Sequence, residues 1–155
     1  MKIRNIVSFV GGALLGGMGI CVLKHREEKE TRKDAKKYLD LYRTMSQYVV
    51  TKQQHKEVSD YFEENGYERI AVYGMSHMGQ RLIDDLKDSK VQVVYGVDQR
   101  ADRLTYSLPI YRPSEELPQV DAIVVTAYDF DEIEEELAEK VDFQILNFSD
   151  IIFGI

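Results

Sequence analysis

The residues with the clearest chemical potential form a glycine-containing turn, residues 74–79, with the sequence GMSHMG. Its spacing, G-x-S-x-x-G, is a variant of the G-x-G-x-x-G turn that holds the pyrophosphate of a dinucleotide. Ser76 replaces the glycine that lets the backbone approach the phosphates, so the turn has less room but one additional hydroxyl donor. A helix that begins here offers free N–H groups to an anion. The sequence predicts an anion site, and a ligand-free structural turn is the alternative.

Residues at the ends of two later strands would complete such a site. Asp98 ends the second predicted strand, where a dinucleotide fold places a carboxylate that accepts hydrogen bonds from ribose hydroxyls. A nucleotide-sugar and NAD are the two ligand classes that we consider. The predicted ligand-binding residues are Gly74, Ser76, His77, Met78, Gly79, Asp98, Thr126, Ala127 and Tyr128.

Other catalytic chemistry is not supported by the spacing of the reactive side chains. The turn is almost the nucleophile elbow of a hydrolase, but Met78 stands where the second glycine belongs, and only the adjacent His77 follows Ser76. The three histidines are far apart in sequence, and none has a partner at the helical spacing of metal ligands. We therefore predict no metal site and assign no catalytic residue.

The Tyr48-x-x-x-Lys52 pair matches the catalytic pair of short-chain dehydrogenases. In those enzymes the pair follows the glycine turn, whereas here it precedes the turn. We interpret the match as coincidence. An NAD-dependent sugar epimerase or dehydrogenase remains a third functional alternative, weakened because no substrate domain and no catalytic base can be identified.

Apolar segments that alternate with amphipathic ones must position the turn. The segments predict strands at residues 69–74, 91–98, 108–111, 121–128 and 143–148, with helices at 57–65, after the glycine turn and from Phe130 to Val141. Alternating strands and helices predict a single, doubly wound parallel sheet of the Rossmann-like type, with strand order 3-2-1-4-5. The ligand crevice would lie between the carboxyl ends of strands one and four.

The charge of the chain is divided between its two parts. Residues 1–56 contain 12 Lys and Arg against 5 Asp and Glu, and residues 57–155 contain 8 against 22. The acidic part argues against nucleic acid as a partner, because phosphate backbones require a basic surface. The single cysteine excludes an intrachain disulfide.

An apolar run at residues 6–23 contains no charge over 18 residues, which is close to the length of a membrane-spanning helix. Because the run continues past Gly19 to Leu23, we predict an uncleaved membrane anchor, and a cleaved signal peptide is the alternative. Seven Lys and Arg follow the run between residues 24 and 37, so the positive-inside rule places the rest of the chain in the cytoplasm. Gly12-x-x-x-Gly16 would permit close packing with another membrane helix.

We predict that residues 24–56 form a helical connector, whose first part is charged and whose second part is amphipathic. Its apolar stripe consists of Tyr38, Leu41, Tyr42, Met45, Tyr48 and Val49. Spacings of three and four residues place these side chains on one helix face. That face requires a partner, either the following domain at residues 57–155 or a second copy of the chain in a homodimer.

The segments at residues 61–102 and 108–137 resemble the small Rossmann-type modules of bacterial surface-polysaccharide clusters, which accompany glycosyltransferases, sugar acyltransferases and sugar epimerases. The turn is also similar to that of the nucleotide-sugar-binding domain of sialic-acid-type O-acetyltransferases, with a pattern close to G-A-S-G-H-G. Gly74, Ser76 and Gly79 match that pattern, but Met78 occupies the position of the family histidine. Asp98 matches the first acid of the family's Asp-Asp pair, and Gln99 stands at the second.

The resemblance covers residues 40–155 and implies a function in surface-polysaccharide biosynthesis. No hexapeptide acyltransferase repeat follows, so that activity is not implied. We therefore expect a membrane-anchored module that binds a nucleotide or nucleotide-sugar beside an enzyme of polysaccharide assembly. The alternative is a ligand-free membrane adaptor that recruits a glycosyltransferase or a related enzyme.

Overall fold

The computed structural model describes residues 31–155, in which five strands form one parallel sheet. The order β3-β2-β1-β4-β5 confirms the predicted 3-2-1-4-5 topology, and flanking helices make the fold α/β. Each strand is shorter than its predicted segment. The strands are β1 (Arg69–Tyr73), β2 (Gln92–Val97), β3 (Ile110–Tyr111), β4 (Ala122–Val125) and β5 (Gln144–Asn147).

Five α-helices accompany the sheet within the described residues. They are α1 (residues 31–53), α2 (Val58–Glu64), α3 (His77–Leu86), α4 (Phe130–Ala138) and α5 (Phe148–Gly154). The connection from β2 to β3, for which no helix was predicted, contains only a short 3-10 helix, Ala101–Arg103. Helix α5 was also not predicted, although Asn147 begins it by accepting a hydrogen bond from the backbone N–H of Ser149.

The sheet separates two hydrophobic clusters, because successive side chains of a strand point to opposite faces. Ile70 and Val72 of β1 belong to one cluster, together with buried residues of α2, α3 and α5. Ala71 and Tyr73 belong to the other cluster, together with Leu137 of α4. The glycine turn that follows β1 is thereby held at one edge of a sheet packed on both faces.

The described residues fall into two units: residues 31–40 belong to the first, and residues 41–155 form the second, which is compact. Within the second unit the end of α1 belongs to the core: Met45 and Tyr48 pack against the first cluster and Thr51 is buried. The following domain therefore covers two residues of the predicted apolar stripe. Leu41, Tyr42 and Val49 are exposed.

Helices α1 and α2 end in the same way. Lys56 N–H bonds to the Thr51 carbonyl, as Tyr67 N–H bonds to that of Phe62, with a left-handed residue between. That residue is Gly66 after α2, at φ 75°, and His55 after α1, at φ 56°.

Between residues 31 and 155 no helix combines the length and apolar character that crossing a membrane requires. The predicted anchor at residues 6–23 lies outside the described residues.

Candidate functional site

The candidate site lies where the strand order reverses, between β1 and β4. The chain leaves β1 toward β2 and returns later to β4 on the other side, so the carboxyl ends of β1 and β4 are neighbours. Thr126 N–H donates to the Tyr73 carbonyl over 2.9 Å, which places the two strand ends side by side. In open α/β sheets, ligands bind outside the carboxyl ends of the strands at such a point.

Both glycines of the turn have a structural reason to be glycine. Gly74 has φ 95°, and a Cβ there would lie 2.9 Å from Thr126 Oγ1. A Cβ at Gly79 would lie 2.2 Å from the Gly74 carbonyl oxygen, closer than any real contact. The glycines therefore allow α3 to pack closely against the end of β1. The G-x-S-x-x-G spacing is explained by the fold alone and is not by itself evidence of a ligand.

Ser76 and His77 are the predicted ligand contacts that the structure leaves accessible at the start of α3. Ser76 is the N-cap residue with an extended backbone, yet its side chain makes no capping hydrogen bond. His77 is the first helical residue, and both side chains are exposed. The first turn of α3 carries no acidic residue, so no carboxylate of that turn neutralises its N–H groups.

Met78 contributes to the hydrophobic core, where its side chain is almost completely buried. Only its backbone N–H faces the start of α3, so a ligand would contact Met78 through the main chain. His77 is thus exposed at the start of α3, whereas the next residue, Met78, is buried.

Both carboxylate oxygens of Asp98 accept hydrogen bonds from backbone N–H groups of the protein. Its Oδ2 accepts a hydrogen bond of 3.0 Å from Met75 N–H, and its Oδ1 accepts one of 2.8 Å from Arg100 N–H. The residue is only 7% exposed. Asp98 therefore joins the end of β2 to the glycine turn, and the structure gives a reason for this carboxylate other than the predicted contact with ribose.

Tyr106 was not among the predicted site residues, but its hydroxyl lies against the turn. It donates to the Met75 carbonyl over 3.1 Å and accepts from Gln80 Nε2 over 2.6 Å. These bonds hold the loop between β2 and β3 over the start of α3. The only sequence signal was the alternation of Leu104, Tyr106 and Leu108, all of which pack against the first cluster.

The residues after β4 form the other side of the candidate site. The Thr126 hydroxyl bonds to the Gly74 carbonyl over 2.7 Å and to the Tyr73 carbonyl over 3.1 Å, so it fixes the turn. Ala127 is half-buried, and Tyr128 is 44% exposed. Of the predicted set, Ser76, His77 and Tyr128 are therefore the residues whose side chains are exposed at this edge.

Two cavities lie at the opposite edge, beside the amino ends of β1 and β2. One has a volume of about 350 Å³ and the other about 440 Å³, and both include Lys90 and Val91 in their walls. Ligands of parallel α/β sheets bind at the carboxyl edge, so topology assigns the candidate site to the glycine turn.

Across residues 31–155, no group of three or more His, Cys, Asp or Glu side chains could hold a metal ion. Comparison of the chain with protein-family models, with curated proteins and with solved structures gives no match.

Proposed function

We propose that this chain is a membrane-anchored Rossmann-like module that binds a nucleotide or a nucleotide-sugar and serves surface-polysaccharide assembly. The observation that supports this proposal is that the start of α3 is exposed and lies between β1 and β4, where the strand order reverses. The N–H groups of a first helical turn have no partner within the helix, and the helix dipole favours an anion there.

The chemistry that this edge offers fits a phosphate-bearing ligand. The free N–H groups of α3, the Ser76 hydroxyl and the exposed His77 ring are hydrogen-bond donors. Tyr128, at the end of β4, offers an aromatic surface to a base or a sugar ring. The module would hold its ligand at the cytoplasmic face of the membrane, where the predicted anchor at residues 6–23 keeps it.

A matched pair of substitutions at Ser76 tests the proposal. Asp and Asn are both good N-cap residues, so Ser76→Asp and Ser76→Asn should each preserve α3. Only Ser76→Asp places a negative charge beside the phosphate. UDP-sugars or NAD should therefore raise the melting temperature of the wild type and of Ser76→Asn, and the rise should disappear in Ser76→Asp.

Gly79 and Asp98 are unsuitable positions for this test, because substitutions there disturb the turn itself. Equal melting temperatures with and without every nucleotide, up to millimolar concentration, would refute ligand binding at this turn. An equal shift in both Ser76 variants would place the ligand elsewhere.

A ligand-free adaptor is the second candidate function. Its supporting observation is the set of exposed apolar side chains on α1, among them Leu41, Tyr42 and Val49. A polysaccharide enzyme recruited by the membrane-anchored chain would remain associated with it whether or not a nucleotide is present. Absence of any nucleotide shift, together with a stable complex with such an enzyme, would favour this alternative.

A further inference from the structure

The exposed apolar residues of the described chain are concentrated on α1. Of the eight large hydrophobic side chains that are exposed between residues 31 and 155, six belong to this helix. Tyr38 and Leu39 precede the compact unit that starts at Leu41. Within that unit, Leu41, Tyr42, Val49 and Val50 are the exposed members, and we call these four residues the outer apolar surface.

The outer apolar surface borders the side of α1 that packs on the domain, because Leu41 and Val49 each lie four residues from Met45. Tyr42 and Val49 are seven residues apart, so they lie on the same face two turns apart, and they are 69% and 47% exposed. Met45 and Tyr48 pack against the hydrophobic cluster of the sheet instead. Exposed apolar side chains that are concentrated on one helix indicate an interaction surface, because monomeric soluble proteins rarely expose large contiguous apolar patches.

Charge complementarity selects the partner of this surface. Besides Lys52, which pairs with Glu57 and Asp85, helix α1 carries five Lys and Arg against two Asp and Glu, whereas residues 57–155 carry 8 against 22. An anionic membrane would attract the basic helix and repel the acidic body. A helix with basic residues and an apolar face is typical of segments that lie in the membrane interface, where tyrosine rings are also enriched.

The length of chain outside the described residues brings α1 close to a membrane. The predicted anchor ends at residue 23 and the described part of α1 starts at residue 31, so seven residues separate them. Seven residues span at most about 25 Å even when fully extended. An anchored chain therefore has α1 within reach of the lipid headgroups at all times.

We propose that the outer apolar surface of α1 lies against the anionic phospholipid surface of the membrane that holds the chain. The contact rests on the predicted anchor and not on nucleotide binding. It orients the α/β unit: Met45 and Tyr48 fix the helix to the domain, while Tyr42 and Val49 fix it to the bilayer.

The chain contains no tryptophan, so single-tryptophan variants report on one position each. Tyr42→Trp and Val49→Trp place the reporter on the outer apolar surface without disturbing the core, because both side chains are exposed. Tyr128→Trp, at a residue of comparable exposure beyond β4, is the matched control. Each full-length variant is incorporated into vesicles of phosphatidylcholine and phosphatidylglycerol, with and without brominated acyl chains.

We expect brominated lipid to cause a loss of emission in Tyr42→Trp and Val49→Trp and little loss in Tyr128→Trp. Bromine near the headgroup end of the acyl chain should quench more than bromine near its terminus, because an interfacial helix is buried by only about 5–10 Å. The loss should be smaller in vesicles of phosphatidylcholine alone.

Three results would overturn the proposal. The first is quenching of Tyr42→Trp and Val49→Trp no stronger than that of Tyr128→Trp. The second is protection of these variants from the aqueous quencher acrylamide without quenching by brominated lipid, since another protein surface, such as a second copy of the chain, would then cover α1. The third is equal quenching with and without phosphatidylglycerol, which would remove the electrostatic basis. The proposed nucleotide binding is tested separately, by the melting temperature of the wild type and the Ser76 variants, and does not depend on these outcomes.

Discussion

The hydroxyl of Tyr48 donates a hydrogen bond of 2.8 Å to Oδ2 of Asp85, and this bond joins α1 to α3. Lys52 Nζ lies 3.2 Å from the same oxygen. Burial, and then the hydrogen bond to Asp85, raise the pKa of Tyr48, whereas a catalytic tyrosine of the dehydrogenase type requires a lowered pKa. The Tyr-x-x-x-Lys pair therefore supports a structural role, in which both side chains hold the connecting helix on the domain.

This contact predicts the minimal stable unit of the chain. Residues 41–155 include the buried Thr51 and the packed Met45 and Tyr48, which residues 57–155 lack. We expect a chain truncated to residues 41–155 to unfold cooperatively, with a higher urea midpoint than residues 57–155. Equal midpoints for the two truncated chains would show that α1 contributes nothing to the stability of the α/β unit.

The sheet could be predicted from sequence because each strand carries a run of apolar residues and the runs alternate with helical patterns. The order 3-2-1-4-5 then followed from the right-handed crossovers of parallel strands. Helix α5 was not predicted because its first apolar residue, Phe148, continues the apolar run of β5 and was assigned to the predicted strand at residues 143–148. The packing of the segment between β2 and β3 was not predicted, because Leu104, Tyr106 and Leu108 pack on the core from an irregular segment without helical periodicity.

The roles of the turn residues could not be read from their types. A glycine that approaches a phosphate and a glycine that approaches a carbonyl are identical in sequence, and Gly79 is of the second kind in this structure. Likewise, the carboxylate of Asp98 could accept a hydrogen bond from a ribose hydroxyl or from a backbone N–H group. Only the fold shows that it accepts one from Met75 N–H. Both roles depend on tertiary contacts, which the residue types alone do not reveal.

A methyl group at position 79 should weaken the fold. In Gly79→Ala the new Cβ would lie 2.2 Å from the Gly74 carbonyl oxygen, so α3 must move away from β1. Overpacking of this kind costs about 1–3 kcal/mol in free energy of unfolding. Gly154→Ala is the control, because no atom lies within 4 Å of its added Cβ. Urea unfolding of both variants measures the difference, and equal stabilities would contradict the close approach of α3 to β1.

Asp98→Ala should destabilise the chain without any ligand present. It removes the acceptor of Met75 N–H and Arg100 N–H, and one hydrogen bond to a charged group is worth about 1.5–3 kcal/mol. Asp102→Ala is a matched control, because that side chain lies in the same loop, is exposed and pairs with Arg112 at the surface. If the two variants had the same urea midpoint, the carboxylate of Asp98 would not be holding the turn.

Thr51→Val should stabilise the α/β unit. The Thr51 hydroxyl is buried, with the residue 1% exposed, and it is without a hydrogen-bond partner in the structure. Valine keeps the shape and removes the desolvated group, whose burial without a partner costs about 1–3 kcal/mol. Thr51→Ser, which keeps the hydroxyl and loses the methyl group, should be less stable than the wild type. A fall in melting temperature for Thr51→Val would indicate that the hydroxyl has a partner in solution.

The stability of the α/β unit should fall at alkaline pH because of Tyr95. Its hydroxyl donates to the Pro118 carbonyl over 2.8 Å, and burial, followed by the nearby Tyr111, raises its pKa from 10.0 to about 12. The folded state therefore favours the protonated form, and this contribution to stability is complete below pH 10 and is lost as the pH rises from 10 to 12.

Tyr95→Phe isolates this effect, because phenylalanine has no group that titrates. The difference in free energy of unfolding between wild type and Tyr95→Phe should be constant up to about pH 9 and about 1.4 kcal/mol smaller at pH 11, since that pH lies one unit above the pKa of the unfolded chain and one unit corresponds to about 1.4 kcal/mol. Urea unfolding of residues 41–155 at each pH gives both values. A difference that stays constant to pH 11 would mean that the Tyr95 hydroxyl has the same pKa in the folded and unfolded chains. That result would contradict the burial of this hydroxyl and its hydrogen bond to Pro118.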